Sequence, residues 1–244
     1  MKILKNSLLT LACLFVATAS FLDAAKIQKV LVKNADGSTV DVTDKFANAE
    51  GAIESGDQEL VVTTEDGSVV TIVPNSSVVI GTNAEGTTQV TVVVGAVIAS
   101  SKGASIAVST VAGTFTTTGG DLLVAQSTGG ENDVTVQAVN SSGGDVVFAP
   151  SDASAGNAPV SLQAGQEASI TGKSDGTVFV AAQPPAIATA TPATIAAVQT
   201  TAKASVVAVV VPPSTPAPGP APIVVQPVVI DIPVADTEIA SNPG

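Results

Sequence analysis

Short runs in which apolar and polar residues alternate recur along most of this chain, and they predict strands. KIQKVLV (26–32), ELVVTT (59–64), SVVTIV (68–73), SVVIG (77–81) and TQVTVVVGAVIA (88–99) make a first group. LLVA (122–125), DVTVQAV (133–139), DVVFA (145–149), VSLQA (160–164) and GTVFVAA (176–182) make a second. Val, Ile and Thr dominate them, which suits a pleated, half-buried surface, and the period of two is plain in VTVQAV and VVTIV. Turn chemistry separates the runs: Asp-Gly at 36–37, 66–67 and 175–176, and Gly-Gly at 119–120, 129–130 and 143–144. Asp-Gly between alternating runs supplies the positive φ angles of tight hairpins. The pattern predicts one all-β domain, a Gly-punctuated roll or sandwich. DKFANAE (44–50) reads as the one helix.

The stretch TEDGSVVTIVPNSSVVI (64–80) shows the grammar at close range. Asp66-Gly67 turns the chain, Val69 to Val73 form a strand, Pro74-Asn75 stops it, and Val78 to Ile80 begin the next. Pro74 has no N–H for a ladder and belongs at a strand end or an edge. A longer regularity joins TTGGDLLVA (117–125) to SSGGDVVFA (141–149), two near-copies 24 residues apart. They fit two similar hairpin entries, a repeated ligand loop, or adjacent coils of a short β-solenoid, the alternative fold.

Twelve of the fifteen prolines lie after residue 182, and nineteen of the twenty-one glycines lie before it. The break divides a folded body, 26–182, from a Pro/Ala/Val-rich low-complexity tail, 183–244. The tail's PPSTPAPGPAPIVVQPVVIDIPVAD (212–236) favours extended conformations and predicts a spacer without packed structure. Its apolar runs VVAVVV and PVVIDIPV add surface that could dock on a sheet edge or groove. At the other end, Lys2 and Lys5 precede the apolar run LLTLACLFV and the small residues ATAS. That is the pattern of a secretory signal, residues 1–19, with Ala17 and Ala19 at the cleavage site. The mature chain is then expected outside the cytoplasm, in the periplasm or at the cell surface, with no membrane span. Cys13 falls inside the signal, and Thr10 and Leu11 fit a lipoprotein site poorly.

Composition narrows the chemistry. The chain carries a net charge of −12, has no His, Trp or Tyr, and draws all nine of its basic residues from Lys. Without His it lacks an imidazole base near neutral pH and the common nitrogen ligand for zinc. Without Arg it lacks a bidentate clamp for phosphate, and an acidic chain repels nucleic acid. Neither a metal nor an organic cofactor is expected. The carboxylates Asp121, Glu131, Asp133 and Asp145 gather in sequence near the Gly-Gly turns, where they could offer Ca²⁺ hard oxygen ligands, but no loop spacing supports this. A Ser/Lys pair such as Ser101 beside Lys102 is conceivable, but strand neighbours point to opposite faces. Asn75-Ser76-Ser77 and Asn140-Ser141-Ser142 match the glycosylation pattern and read as turn residues. Phe46, Phe115, Phe148 and Phe179 are expected to fill the core. No catalytic, cofactor-binding or metal residue is assigned, and the chain is expected not to be an enzyme.

DGSVVTIVPNSSVVI resembles a signature of the periplasmic domain of the FecR family, in which an Asp-Gly-Ser strand entry is followed by Pro-x-Ser and a further strand. The likeness continues through VTVVVGAVIAS (90–100) and IAVSTVAGTFTTT (106–118) to VSLQAGQEASI (160–170), and covers roughly 58–172. Gly113-Thr114-Phe115 lacks the family's polar spacer before Phe. The resemblance implies a β-rich module of an exported bacterial protein. In the family's well-known members such a domain belongs to an inner-membrane sensor that acts on a sigma factor. Only seven residues precede the apolar run here, too few for that cytoplasmic segment. The expected function is therefore a structural or interaction component of the cell envelope. Its partner would be a protein, an envelope polymer or a second copy. The alternative is a sensory, receptor-binding module.

Overall fold

A computed structural model describes residues 23–24, 27–34, 36–46, 51–83, 86–151, 158–176 and 178–210. Residues 1–22, on which the signal expectation falls, and the chain after 210 lie outside them. Strands β1 (Asp23–Ala24), β2 (Ile27–Lys33), β3 (Thr39–Asp41) and β4 (Ile53–Glu54) come first. Then follow β5 (Glu59–Thr64), β6 (Val69–Ile72), β7 (Ser77–Thr82), β8 (Thr88–Ser101), β9 (Ile106–Thr110) and β10 (Gly113–Thr117). The remainder are β11 (Gly120–Thr128), β12 (Asp133–Ser142), β13 (Val146–Pro150), β14 (Val160–Leu162), β15 (Gln166–Ser174), β16 (Phe179–Ala181) and β17 (Ala186–Thr189). Helix α1 spans Thr43–Phe46 and α2 spans Pro192–Val210.

These strands form two layers that share β8. In the front layer β1 and β4 succeed one another along one side of β7, and on its other side follow in order the first half of β8, then β9, β10, β13 and β14. The back layer runs β3, β2, β5, β6, the second half of β8, β11, β12 and β15. Beyond β15, β16 and β17 succeed one another along its free side. All pairs are antiparallel except β8 with β9. The sandwich of the sequence reading is the architecture found, and its layers remain open at their edges.

β8 changes layer at Gly95, whose φ is +94°. A Cβ there would lie 2.2 Å from the Ser76 hydroxyl. That hydroxyl accepts from the Ala96 amide at 2.9 Å and donates to the Ala96 carbonyl at 3.2 Å. Ser76 is itself held by the Ser55 hydroxyl, which accepts its amide at 2.9 Å. The Pro-Asn-Ser segment after β6 is thus a clamp on the bend of β8.

One core lies between the layers. Val30, Val62, Val70, Val97, Leu122, Val136 and Ile170 enter it from the back, and Val78, Val90, Ile106, Phe115, Phe148 and Leu162 from the front. Phe115 and Phe148, opposed on β10 and β13, bring their ring centroids to 4.5 Å. Phe179 closes one side. Three of the four body phenylalanines are buried in the core and Phe46 packs against it from partial burial.

The two near-copies do not stack as solenoid coils. TTGGDLLVA leads into β11 in the back layer and SSGGDVVFA into β13 in the front. Each double glycine marks a passage of the chain between layers, and the two passages touch. A Cβ on Gly143 would lie 2.5 Å from the Gly120 Cα, and one on Gly120 would lie 1.7 Å from the Ser142 carbonyl oxygen. Asn140, 1% exposed, braces the crossing by donating to the Gly144 and Leu162 carbonyls, both at 2.9 Å.

Two expectations need correction. The helix predicted over 44–50 is found as the single turn Thr43–Phe46, and 47–50 lie outside the described residues. The tail expected from 183 to lack packed structure does so neither at β17 nor at α2. Thr191 caps α2, its hydroxyl accepting the Thr194 amide at 3.2 Å, and Pro192 suits the first turn. Val198 and Ala202 then bury against Ile98 and Leu123 on the outer face of the back layer. Composition hid this because Ala, Val and Thr read as low complexity when the apolar contact that orders them is distant in sequence.

Candidate functional site

Carboxylates were the reactive groups to trace, and the fold disperses the four candidates. Asp121 stands at the start of β11 and pairs with Ser142, whereas Glu131 and Asp133 sit at the far end of that hairpin. The seven residues between imply a separation of more than about 20 Å along the strand. Asp121 accepts from the hydroxyls of Ser100 at 2.8 Å and Ser142 at 3.0 Å, tying β8, β11 and β12 together. Asp133 pairs with Lys173 at 3.7 Å on open surface. Asp145 lies in the turn before β13. Among the described residues no group of three or more acidic or other ligating side chains could hold a metal ion.

The remaining candidates are also structural. Ser101 donates to the Ala104 carbonyl, closing the turn that contains Lys102. Asn75 occupies a tight turn at φ +61°, and Asn140 is buried with its amide engaged. Between β13 and β16 lies an apolar recess of about 10 Å³. It is lined by Phe148, Ile170, Phe179 and Pro185 and has room for no more than about one water.

Three acidic turns share one device. Asp36, Asp41 and Asp66 each accept the hydroxyl and the amide of the Ser or Thr two residues on or, for Asp66, the Thr64 hydroxyl and the Ser68 amide. The Ser38 hydroxyl and amide lower the Asp36 pKa, and those of Thr43 lower that of Asp41. For Asp66 burial pushes the carboxyl up, but the Thr64 hydroxyl at 2.5 Å, the Ser68 amide at 3.0 Å and the Thr88 hydroxyl at 2.8 Å outweigh it. Its pKa falls below the ordinary 3.8. The Asp-Gly-Ser turn is therefore a latch between the β5–β6 hairpin and the start of β8.

What remains is the outer face of the front layer. Alternation buries Val90, Val92, Val108 and Phe115, so their neighbours point outward. Register assembles these into two rows across the strands. Val79, Thr91, Ser109, Thr114 and Ala149 form one, and Gln89, Ala107, Thr116, Val147 and Ser161 the other. Neither row contains an ionised side chain. The Ser109 and Thr114 hydroxyls lie 3.0 Å apart, and Gln89 donates to Ser109 at 3.1 Å. Val147 is 41% exposed. The back layer's outer face is instead covered by α2, with the Gln199 amide donating to the Ser141 carbonyl at 2.8 Å. Sequence reasoning found β7, β8, β13 and β14 from their alternation but not β9 and β10, and it missed the face. The outward Thr and Ser were visible as alternates, yet their meeting depends on the parallel β8–β9 pairing, which the chain does not announce.

The fold thus defines an all-β, two-layer module with one helix-covered and one open face. No family description matches the chain, and no curated protein does. One similar solved structure is that of "a putative anti-sigma factor" from Parabacteroides distasonis, at 17% identity and a TM-score of 0.36. The likeness covers 55% of this chain and spans 59% of that one.

Proposed function

We propose that the protein is a non-enzymatic, exported component of the bacterial cell envelope, built on a FecR-like domain and acting by surface contact. The carrying observation is the uncharged hydroxyl- and valine-bearing face of the front layer. On a chain of net charge −12, such a face is where another macromolecule can approach without like-charge repulsion or ion desolvation. The signal-like amino terminus supports export. The FecR-like segments supply the latch, the clamp and the strands that hold the face in register, so the resemblance enters as architecture. An enzyme would need a base among Asp, Glu and Lys, and the carboxylates of Asp36, Asp66 and Asp121 are engaged in turns and strand ties.

Pull-down from envelope extracts, with amino-terminal sequencing of the native protein, tests this reading. It expects a mature chain beginning near Ser20 and recovery of wall polymer or abundant envelope protein. Intact Met1 protein in the cytosol contradicts it. A single receptor recovered in stoichiometric amount replaces it with the sensory alternative.

A further inference from the structure

We propose that the protein assembles head to tail, the segment IVVQPVVIDI (223–232) of one copy adding as a strand to the β16–β17 edge of the next. This goes beyond the envelope reading and does not rest on it, since it concerns only copies of this chain.

The acceptor is a composite edge. β16 and β17 lie in succession along β15 and, among the described residues, pair with nothing beyond it. Val180 is 59% exposed and Ile187 39% exposed. Neither strand carries Lys, Asp or Glu, the residues that commonly guard an open edge. The back layer's opposite edge, β3, holds Asp41 and is so guarded. Beside the acceptor lies the apolar recess lined by Phe148, Phe179 and Pro185, too small to admit a side chain but an apolar surface against which one of an incoming strand could rest.

The donor fits in length, pattern and point of departure. The acceptor offers three strand residues and then four, parted by the Pro184-Pro185 connection. The donor sequence reads four residues, Ile223–Gln226, then Pro227, then five, Val228–Ile232. Helix α2 begins next to Gly165 at the start of β15, passes β12, β11 and β8, and reaches β5 and β2. Its nineteen residues span about 28 Å, matching the roughly 29 Å of six strand spacings. The helix therefore carries the chain to the edge opposite the acceptor. The Pro-rich sequence of 212–222 predicts a semi-rigid spacer of about 34 Å. A donor leaving one edge and an acceptor on the other is the heterologous geometry that propagates as a chain of copies.

Sedimentation of the chain from Ser20 onward over a wide concentration range, with two variants, tests this. The acceptor variant is Val180→Lys with Ile187→Lys, both exposed positions; the donor variant is Val229→Pro, outside the folded layers. Circular dichroism and thermal midpoints matching the parent verify folding. The parent should rise from monomer mass to multiples of it, each variant alone should remain monomeric, and an equimolar mixture should stop at the dimer. A parent that stays monomeric, whether its edge is open or closed by its own tail, overturns the proposal. Variants that assemble like the parent, or a mixture that fails to pair, do so equally.

Discussion

Asp66 shows how single residues in this chain do architectural work with polar groups. Its carboxylate gathers the Thr64 hydroxyl, the Ser68 amide and the Thr88 hydroxyl, and the latter reaches across from β8. Because its pKa is held below 3.8 in the fold, its stabilisation is complete above the unfolded value. It is lost as pH falls through the lower folded value. Asp36 and Asp41 act in the same direction. The chain has no His, so no side chain changes charge through its ordinary titration near neutrality. Thermal midpoints should hold level from about pH 8 to pH 5.5 and fall below about pH 4. Asp66→Ala should lower stability by about 1–2 kcal/mol near neutrality, a modest sum because the turn is exposed. It should also flatten the acid limb. A steep loss between pH 7 and 5.5, or an unaltered acid limb in the variant, contradicts this role.

At the scale of elements, most strands and their turns were legible because they are specified locally, whereas β9 and β10 were quoted only for the family resemblance. Asp66-Gly67 and Pro74-Asn75 set the ends of β6 by backbone chemistry alone, and Asp175-Gly176 lies between β15 and β16. What pairs with what was not legible. β8 is a single run of β-branched residues in sequence, yet it serves two layers, because Gly95 can bend where Ser76 is placed to hold it. The double glycines looked like a repeat and proved to be two crossings in contact, a relation set by tertiary approach. Helix α2 was missed for a related reason: its order comes from Ile98 and Leu123, more than seventy residues away. Limited proteolysis with a nonspecific protease should therefore trim the chain after 210 and leave α2 on the body. A resistant fragment ending near 182 would show that the helix does not hold to the back layer.

For the whole molecule, the two outer faces are unequal, and that inequality organises the functional account. The back face is apolar at Leu31, Val61, Val69 and Ile98 and lies under a helix. The front face alternates hydroxyls with valines and is left open by the described elements. The motifs recognisable in the sequence occupy turns and bends, where their job is to position strands. The residues proposed to meet other molecules are the unremarked alternates between core valines. The most direct measurement of the central claim is envelope binding by the chain and by a Thr91→Lys, Thr114→Glu, Thr116→Lys variant. These three substitutions place charges of both signs on the front face. A control with Val178→Lys, at an exposed site of the back layer, carries a comparable change. With thermal midpoints matched, the front-face variant should lose at least about tenfold in affinity, about 1.4 kcal/mol, while the control retains binding. Equal binding by all three proteins would contradict the assignment of the front face as the surface of contact.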